Sequence, residues 1–347
     1  MSPERACPLN ERRAMVLGAI VQEHVETAAP VGSRVVREQY GVEASTATIR
    51  NDMCVLEREG YIHQPHTSAG RVPRDKGYRV YVDSLMPPAS IKPEEETWVR
   101  SECRACAGDG QLLYRAATRM LSQLTCSPAL LMAPPERPAH LLQIRLSPVS
   151  ADLVRLVYET DQGGRNECIL QSAEPLSADQ VAAISRILSE RFTSRDVTAI
   201  TLSSPSTLVD DSGANTVPEE LLDQIKNAIE GDHPQQVFVD GAAYALDYPE
   251  YQALDKLKPV VRALDDDGTV RRLLRPASRT AEVSVTIGHE HHLTSLQSCS
   301  LVARHYVAAE VGIGALGIMG PTRLDYLRAV AAVRCIAEHV SRALAGR

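Results

Sequence analysis

The N-terminal part of the chain carries apolar residues at the spacing of an α-helix. Within residues 9–27 they are Met15, Leu17, Ile20, Val21 and Val25. This spacing predicts a first helix, for which Asn10 is a suitable cap. After Pro30, Ser33 can cap a second, short helix that runs through Tyr40. Two helices are therefore predicted close together.

A third helix and a short hairpin complete this region. Ser45 can cap a helix that runs to about Glu59 and stops at Gly60, a natural left-handed position at a helix end. Residues 61–73 then contain two short extended segments around a turn, with prolines at their edges. Such a segment predicts a β-hairpin, in the position of a wing after three helices.

The pattern changes after a further predicted helix over 75–86. The proline-bearing stretch 87–90 predicts the first domain boundary, and residues 94–125 are again helical in pattern. Alternating apolar and polar positions then predict strands at 140–147, 152–159 and 165–171. An α+β domain is expected to begin here.

The second half of the chain predicts mostly helices and then strands. Helices are expected at 178–191, 218–230 and 251–264, with one strand at 236–240. Strands are expected again at 283–287, 301–306 and 316–319, before a C-terminal helix over 322–344. The later strands are expected to resume the earlier sheet. The predicted domains are thus 1–86, then 94–175 with 275–347, and an inserted, mostly helical 176–274.

Composition narrows the class of protein. The 347 residues carry a net charge of -7, so any contact with nucleic acid must be local, because unspecific affinity comes mainly from Lys and Arg. The charged start of the chain does not look like a signal peptide, and no stretch is long and apolar enough for a bilayer. Eight scattered cysteines predict reduced thiols. We expect a cytoplasmic protein without a membrane anchor.

The third predicted helix has the side chains that read DNA bases. Its apolar residues share one face, whereas Ala47, Arg50 and Asn51 lie on the opposite one. Arg50 suits guanine, Asn51 suits adenine, and Ala47 can touch a thymine methyl group in the major groove. Thr46 and Thr48 can reach phosphates or bases. The alternative is that this face is an ordinary hydrated surface.

The hairpin region concentrates positive charge. Between residues 63 and 79 the cations and histidines outnumber the single acid, Asp75, so this segment is expected to hold the DNA backbone. Ser33 and Arg34 are expected to do the same. The complete predicted DNA-binding set is Ser33, Arg34, Thr46, Ala47, Thr48, Arg50, Asn51, His66, Thr67, Ser68, Arg71, Arg74 and Lys76.

Several longer motifs resemble one known family, the heat-inducible transcription repressors called HrcA. They are Pro30-Val31-Gly32-Ser33-Arg34, Ala47 to Met53, Pro65 to Pro73 with Asp75 to Arg79, Cys299 to Val302 and Gly317 to Tyr326. The resemblance implies a winged helix-turn-helix domain, a GAF-like domain and an inserted dimerising domain. It also implies repression of chaperone operons by a homodimer at an inverted-repeat DNA operator, with activity maintained by the GroE chaperonin. The chain departs from the family's usual acidic-acidic-Asn stretch at 287–292 and carries Leu324 where a Met is usual.

Other motifs in the sequence are weaker. Residues 312–317 match the glycine pattern of dinucleotide sites, but a glycine-rich turn between strands explains them better. Cys103 and Cys106 lack the second pair that structural zinc needs, and His289, His291 and His292 are not expected on one face. No nucleophile motif stands out. We therefore expect no enzyme activity, no cofactor and no metal.

Two other classes of function stay open at this point. A ligand-sensing regulator would bind a metabolite in the GAF-like domain and release DNA, and a bound small molecule would reveal it. An oxidoreductase built on residues 312–317 is the weaker alternative, and cofactor absorbance would reveal it.

Overall fold

The computed structural model describes residues 7–67, 69–134, 139–161, 164–201, 203–209, 216–232, 235–279, 282–308 and 312–345. The helices are α1 (Glu11–Thr27), α2 (Ser33–Tyr40), α3 (Thr46–Arg58), α4 (Asp75–Val80), α5 (Pro93–Ala105), α6 (Gly110–Thr125), α7 (Ala178–Phe192), α8 (Val197–Thr201), α9 (Glu219–Asp232), α10 (Leu254–Asp265), α11 (Asp267–Leu274) and α12 (Tyr326–Ala345). The strands are β1 (Ile62–His63), β2 (Val72–Pro73), β3 (Ala129–Met132), β4 (Leu141–Pro148), β5 (Leu153–Thr160), β6 (Gly164–Gln171), β7 (Val237–Asp240), β8 (Ser284–Ile287), β9 (Cys299–Ala308) and β10 (Gly312–Pro321). The protein is thus of mixed α and β structure.

Helices α1, α2 and α3 pack together at the N-terminus. Leu17 and Ile20 of α1 and Ile49 and Leu56 of α3 are fully buried, as the helical spacing predicts. Strands β1 and β2 pair antiparallel, with Ile62 opposite Pro73. The three predicted helices and the hairpin are therefore confirmed as elements. The helix predicted over 75–86 is α-helical at Asp75–Val80 and continues as a π-helical turn at Tyr81–Leu85.

A five-stranded sheet forms the centre of the first of two compact units. Its strand order is β7-β3-β10-β9-β8. Leu130 and Met132 of β3 share a core with α10 and α11. Leu131 is also fully buried, and since neighbouring side chains of a strand point to opposite faces, both faces of the sheet are covered. Helix α6 packs on β3 and β7 and joins α5 and α12 in a bundle.

The second compact unit consists of residues 133–236 and 308–313. It contains a separate antiparallel sheet of order β4-β5-β6. Helix α7 packs on β4, and α9 packs on β6. One hydrophobic core joins this sheet to its helices, with Leu141 and Leu156 from the strands and Leu188 and Ile225 from the helices.

The structure corrects one expectation about organisation. Strands β8, β9 and β10 do not resume the sheet of β4 to β6, because they form one sheet with β3 and β7 instead. The compact units divide at 132/133 and 236/237. Strands β4 to β6 belong with α7 and α9 because they share one core. Among the described helices, none is long and apolar enough to cross a membrane.

Candidate nucleic-acid interface

Helix α3 presents one buried and one exposed face. Its start is capped by Ser45, whose Oγ accepts the backbone N–H of Thr48 at 3.1 Å. Ala47, Arg50 and Asn51 are exposed, while Thr46 and Thr48 are half-buried. The predicted base-reading side chains therefore lie together on the accessible side of a helix whose other side is anchored in a core.

An ionic cluster that the sequence interpretation missed fixes the middle of α3 to the start of α1. Asp52 is buried, and its carboxylate accepts from Arg12 Nε at 2.6 Å and from Arg13 Nε at 3.4 Å. The hydrogen bond from Arg12 lowers the pKa of Asp52 below its ordinary value. Asp52 follows Asn51 directly, so the cluster sets the position of the neighbouring exposed side chains. Two adjacent arginines at the start of α1 were the only sequence signal of it.

Ser33 and Arg50 contact each other. Ser33 is buried, and its Oγ accepts from Arg50 Nε at 3.3 Å. Ser33 thus supports the Arg50 side chain, and its contact with the DNA backbone stays a prediction. Arg34 is largely exposed and pairs with Glu38 one turn along α2, at 2.9 Å.

The hairpin is held to α3 by a second ion pair. Arg71 Nη2 lies 3.0 Å from Glu57 Oε2, and only 15% of the Arg71 side chain is exposed. Gln64 donates its side-chain amide to the carbonyls of Thr67 and Ala69, which braces the turn. Arg71 thus holds the hairpin to α3, and its role at the DNA surface stays a prediction. His66 and Thr67 are exposed, and Ser68 lies outside the described residues.

The basic residues after β2 do not share one surface role. Lys76 Nζ donates to the carbonyl of Glu59 at 2.9 Å and lies 4.2 Å from the centre of the Tyr61 ring. It therefore caps the C-terminal end of α3. Arg79 points to the turn after β8, where it pairs with Glu290. Arg74 is exposed.

The competing motifs have structural explanations. Residues 312–317 lie inside β10, so the expectation of a turn is wrong. Gly314 has no space for a Cβ, which would lie 2.3 Å from the Tyr306 ring. The described residues contain no group of three or more His, Cys, Asp or Glu side chains placed to share a metal ion. His289 and His291 do not alternate in a strand, because residues 288–290 form a 3₁₀ turn.

The family model for the HrcA protein C-terminal domain matches residues 111–330. The heat-inducible transcription repressor HrcA of Moorella thermoacetica is 33% identical over 341 residues, which cover 97% of this chain and 98% of that protein. The chain belongs to the HrcA family. HrcA of Symbiobacterium thermophilum is also 33% identical, over 96% of this chain and 98% of its own length.

One solved structure shares the HrcA fold seen here. It is titled as a hypothetical protein at 2.2 Å resolution, is 26% identical, and covers 97% of this chain and 99% of its own length with a TM-score of 0.56. The HrcA relatives are named as transcription repressors and not as enzymes. The resemblance of the sequence to the HrcA family is therefore confirmed.

Proposed function

We propose that the protein represses heat-shock operons and that residues 7–86 form a winged helix-turn-helix with α3 as the recognition helix. The observation that carries the proposal is the exposed face of α3. Its cap, its apolar core and the Asp52 cluster hold the helix rigidly, while Ala47, Arg50 and Asn51 are left without a covering element. A helix presented in this way fits the major groove.

The side chains divide by what they can reach. Arg50 and Asn51 suit guanine and adenine, and Ala47 suits a thymine methyl group. Thr46, Thr48, Arg34, His66, Thr67, Ser68 and Arg74 form the proposed backbone-binding set. Ser33, Arg71 and Lys76 act indirectly, since each is engaged by another part of the N-terminal region.

We further propose a homodimer that binds an inverted-repeat operator in the cytoplasm. One α3 from each subunit would enter successive major grooves, so that the symmetry of the protein matches that of the DNA. A GAF-like domain around the five-stranded sheet and a dimerising role for the inserted unit complete this proposal. The GroE chaperonin is the proposed partner that maintains repressor activity.

Fluorescence anisotropy tests the proposal directly. The purified protein is titrated onto an inverted-repeat duplex from upstream of a chaperone operon and onto a scrambled duplex of equal length, with and without chaperonin. We expect preference for the repeat and a further gain with chaperonin. Equal binding to both duplexes would contradict operator recognition, while preference without a chaperonin effect would contradict only the partner.

A further inference from the structure

Helix α4 joins the N-terminal region to the C-terminal part of the same compact unit. The carboxylate of Asp75 accepts the backbone N–H of His289 at 3.0 Å, and Asp75 Oδ2 lies 2.7 Å from His289 Nδ1. Both contacts link residues that are more than 200 positions apart in the sequence. Asp75 thus attaches the start of α4 to the turn at Gly288–Glu290.

One helical turn later, Arg79 makes a second attachment. Its Nε donates to Glu290 Oε1 at 2.8 Å, and its Nη2 donates to Glu290 Oε2 and, at 2.7 Å, to the carbonyl of Val285. A planar guanidinium that binds a carboxylate with two nitrogens fixes direction as well as distance. Asp83, one turn further along the chain, accepts a hydrogen bond from Arg79 Nη1 at 3.1 Å. All three guanidinium nitrogens of Arg79 are therefore engaged within the protein.

Close packing supports these polar contacts. Gly288 has a φ of +53°, and a Cβ on it would lie 2.0 Å from the Asp75 carboxylate, so the turn approaches α4 as only glycine allows. The buried rings of Tyr78 and Tyr326 lie 5.7 Å apart beside this contact. The close packing at Gly288 and at the tyrosine pair therefore favours one arrangement of α4 against this turn.

We propose that Asp75 and Arg79 are positioning residues for DNA recognition. Together with Val285, His289 and Glu290 they form a clamp, the α4 clamp, that holds the N-terminal region at one orientation to the rest of its compact unit. This inference rests on the proposed function, because a fixed orientation matters when two α3 helices must meet two half-sites at a set spacing. A loosened clamp lowers the effective concentration of the second helix at its half-site.

The clamp therefore affects a full operator more than a half-site. Glu290→Gln removes the charge that Arg79 binds and keeps the shape of the side chain. We expect it to lower affinity for the inverted repeat by about three- to tenfold and to change half-site affinity by less than about twofold. Both duplexes are measured by anisotropy at one salt concentration.

Glu338→Gln is the matched control. Glu338 is exposed to a similar extent as Glu290, 42% against 40%, and pairs with Arg304 at 2.9 Å, away from α4. We expect it to leave affinity for both duplexes unchanged. Asp75→Asn serves as a second clamp variant if Glu290→Gln does not give a folded protein, as judged by circular dichroism.

A measurement without DNA separates the clamp from the proposed function. Trp98 of α5 is the single tryptophan, and Cys54 is an exposed thiol on α3. The other accessible cysteines, Cys7, Cys106, Cys126, Cys168 and Cys335, are replaced by serine. An acceptor dye on Cys54, diluted with unlabelled subunits, then reports the distance between α3 and α5 by time-resolved energy transfer. Glu290→Gln should broaden the distribution of distances, and Glu338→Gln should not.

The outcomes distinguish the two claims. An unchanged distance distribution in Glu290→Gln, or equal losses on repeat and half-site, overturns the clamp as a positioning device. A broadened distribution with a selective loss on the repeat supports it. If the wild type shows no preference for the repeat, the proposed function fails, and the energy-transfer result alone decides whether the clamp sets the orientation of α3.

Discussion

Asp52 shows how one buried charge can position a recognition surface. The carboxylate is almost fully buried, and Arg12 and Arg13 satisfy it. A buried carboxylate that loses its charge cannot keep two cationic partners at these distances. The direction of the neighbouring Asn51 side chain depends on this ionic cluster.

Asp52→Asn is expected to destabilise the N-terminal region. The substitution removes the charge but keeps the size, so the thermal midpoint should fall by about 3 °C or more. Differential scanning calorimetry measures the change. The control is Glu38→Gln, which removes a largely exposed ion pair with Arg34 and should leave the midpoint unchanged. Equal midpoints for wild type and Asp52→Asn would show that the cluster contributes nothing.

Asn51→Ala and Arg74→Ala should affect DNA binding in different ways. Asn51 can pair with a base edge, so its loss should relax preference at one operator position by about 1–3 kcal/mol. Arg74 is free to meet a phosphate, so its loss should weaken binding to every sequence and lower the salt slope by about one. Competition with single-base operator variants, repeated at several salt concentrations, measures both. Loss of equal size on operator and random DNA from Asn51→Ala would contradict this division.

At the scale of elements, local signals predicted α2 and α3 within one or two residues, because left-handed glycines follow both helices and Ser45 caps α3. The predicted cap Ser33 is wrong, since the N-cap of α2 is Gly32 and Ser33 is its first helical residue. Strand β3 was missed, since four consecutive buried residues show no alternation and its partners β7 and β10 lie far away in sequence. The ion pair between Arg71 and Glu57 was missed as well. A basic residue next to a turn does not reveal that an acid on α3, Glu57, lies within 3.0 Å of it.

The hairpin provides an element-scale prediction. Glu57→Gln retains an acceptor for the backbone N–H of Gln64 but removes the charge that pairs with Arg71. Arg71 should then leave its half-buried position more readily. If the free energy of this local opening falls by about 1.4 kcal/mol, trypsin should cleave after Arg71 about tenfold faster. Glu59→Gln, an exposed change at the end of the same helix, is the control. Identical cleavage rates in the two variants would show that the ion pair does not hold the hairpin.

For the whole molecule, buried histidines link stability to pH. Burial lowers the pKa of His24, His63 and His291 below the ordinary value of 6.5. The unfolded chain then binds more protons than the folded one as pH falls through that value. Stability is therefore fully present above about pH 7.5 and decreases toward acid.

Urea unfolding at pH 7.5 and pH 5.5 tests this linkage. We expect a lower free energy of unfolding at pH 5.5 in the wild type and a smaller difference in His24→Gln. His24 Nδ1 lies 2.9 Å from the carbonyl of Ala29, a contact that glutamine can replace with its amide. His66→Gln, at an exposed histidine, is the control. A rise in stability toward pH 5.5 would contradict the assignment.

The central pairing of β3 with β10 also has a consequence for synthesis on the ribosome. Met132 pairs with Ala315, so the inner strands of the sheet leave the exit tunnel far apart in time. The three N-terminal helices pack mainly on one another and can fold early, whereas the sheet waits for β10 and then for α12. The surface that contacts α4 is complete only when the sheet has formed. A nascent or truncated chain would therefore carry a folded N-terminal region with no sheet to orient it, and only a finished chain would join the two.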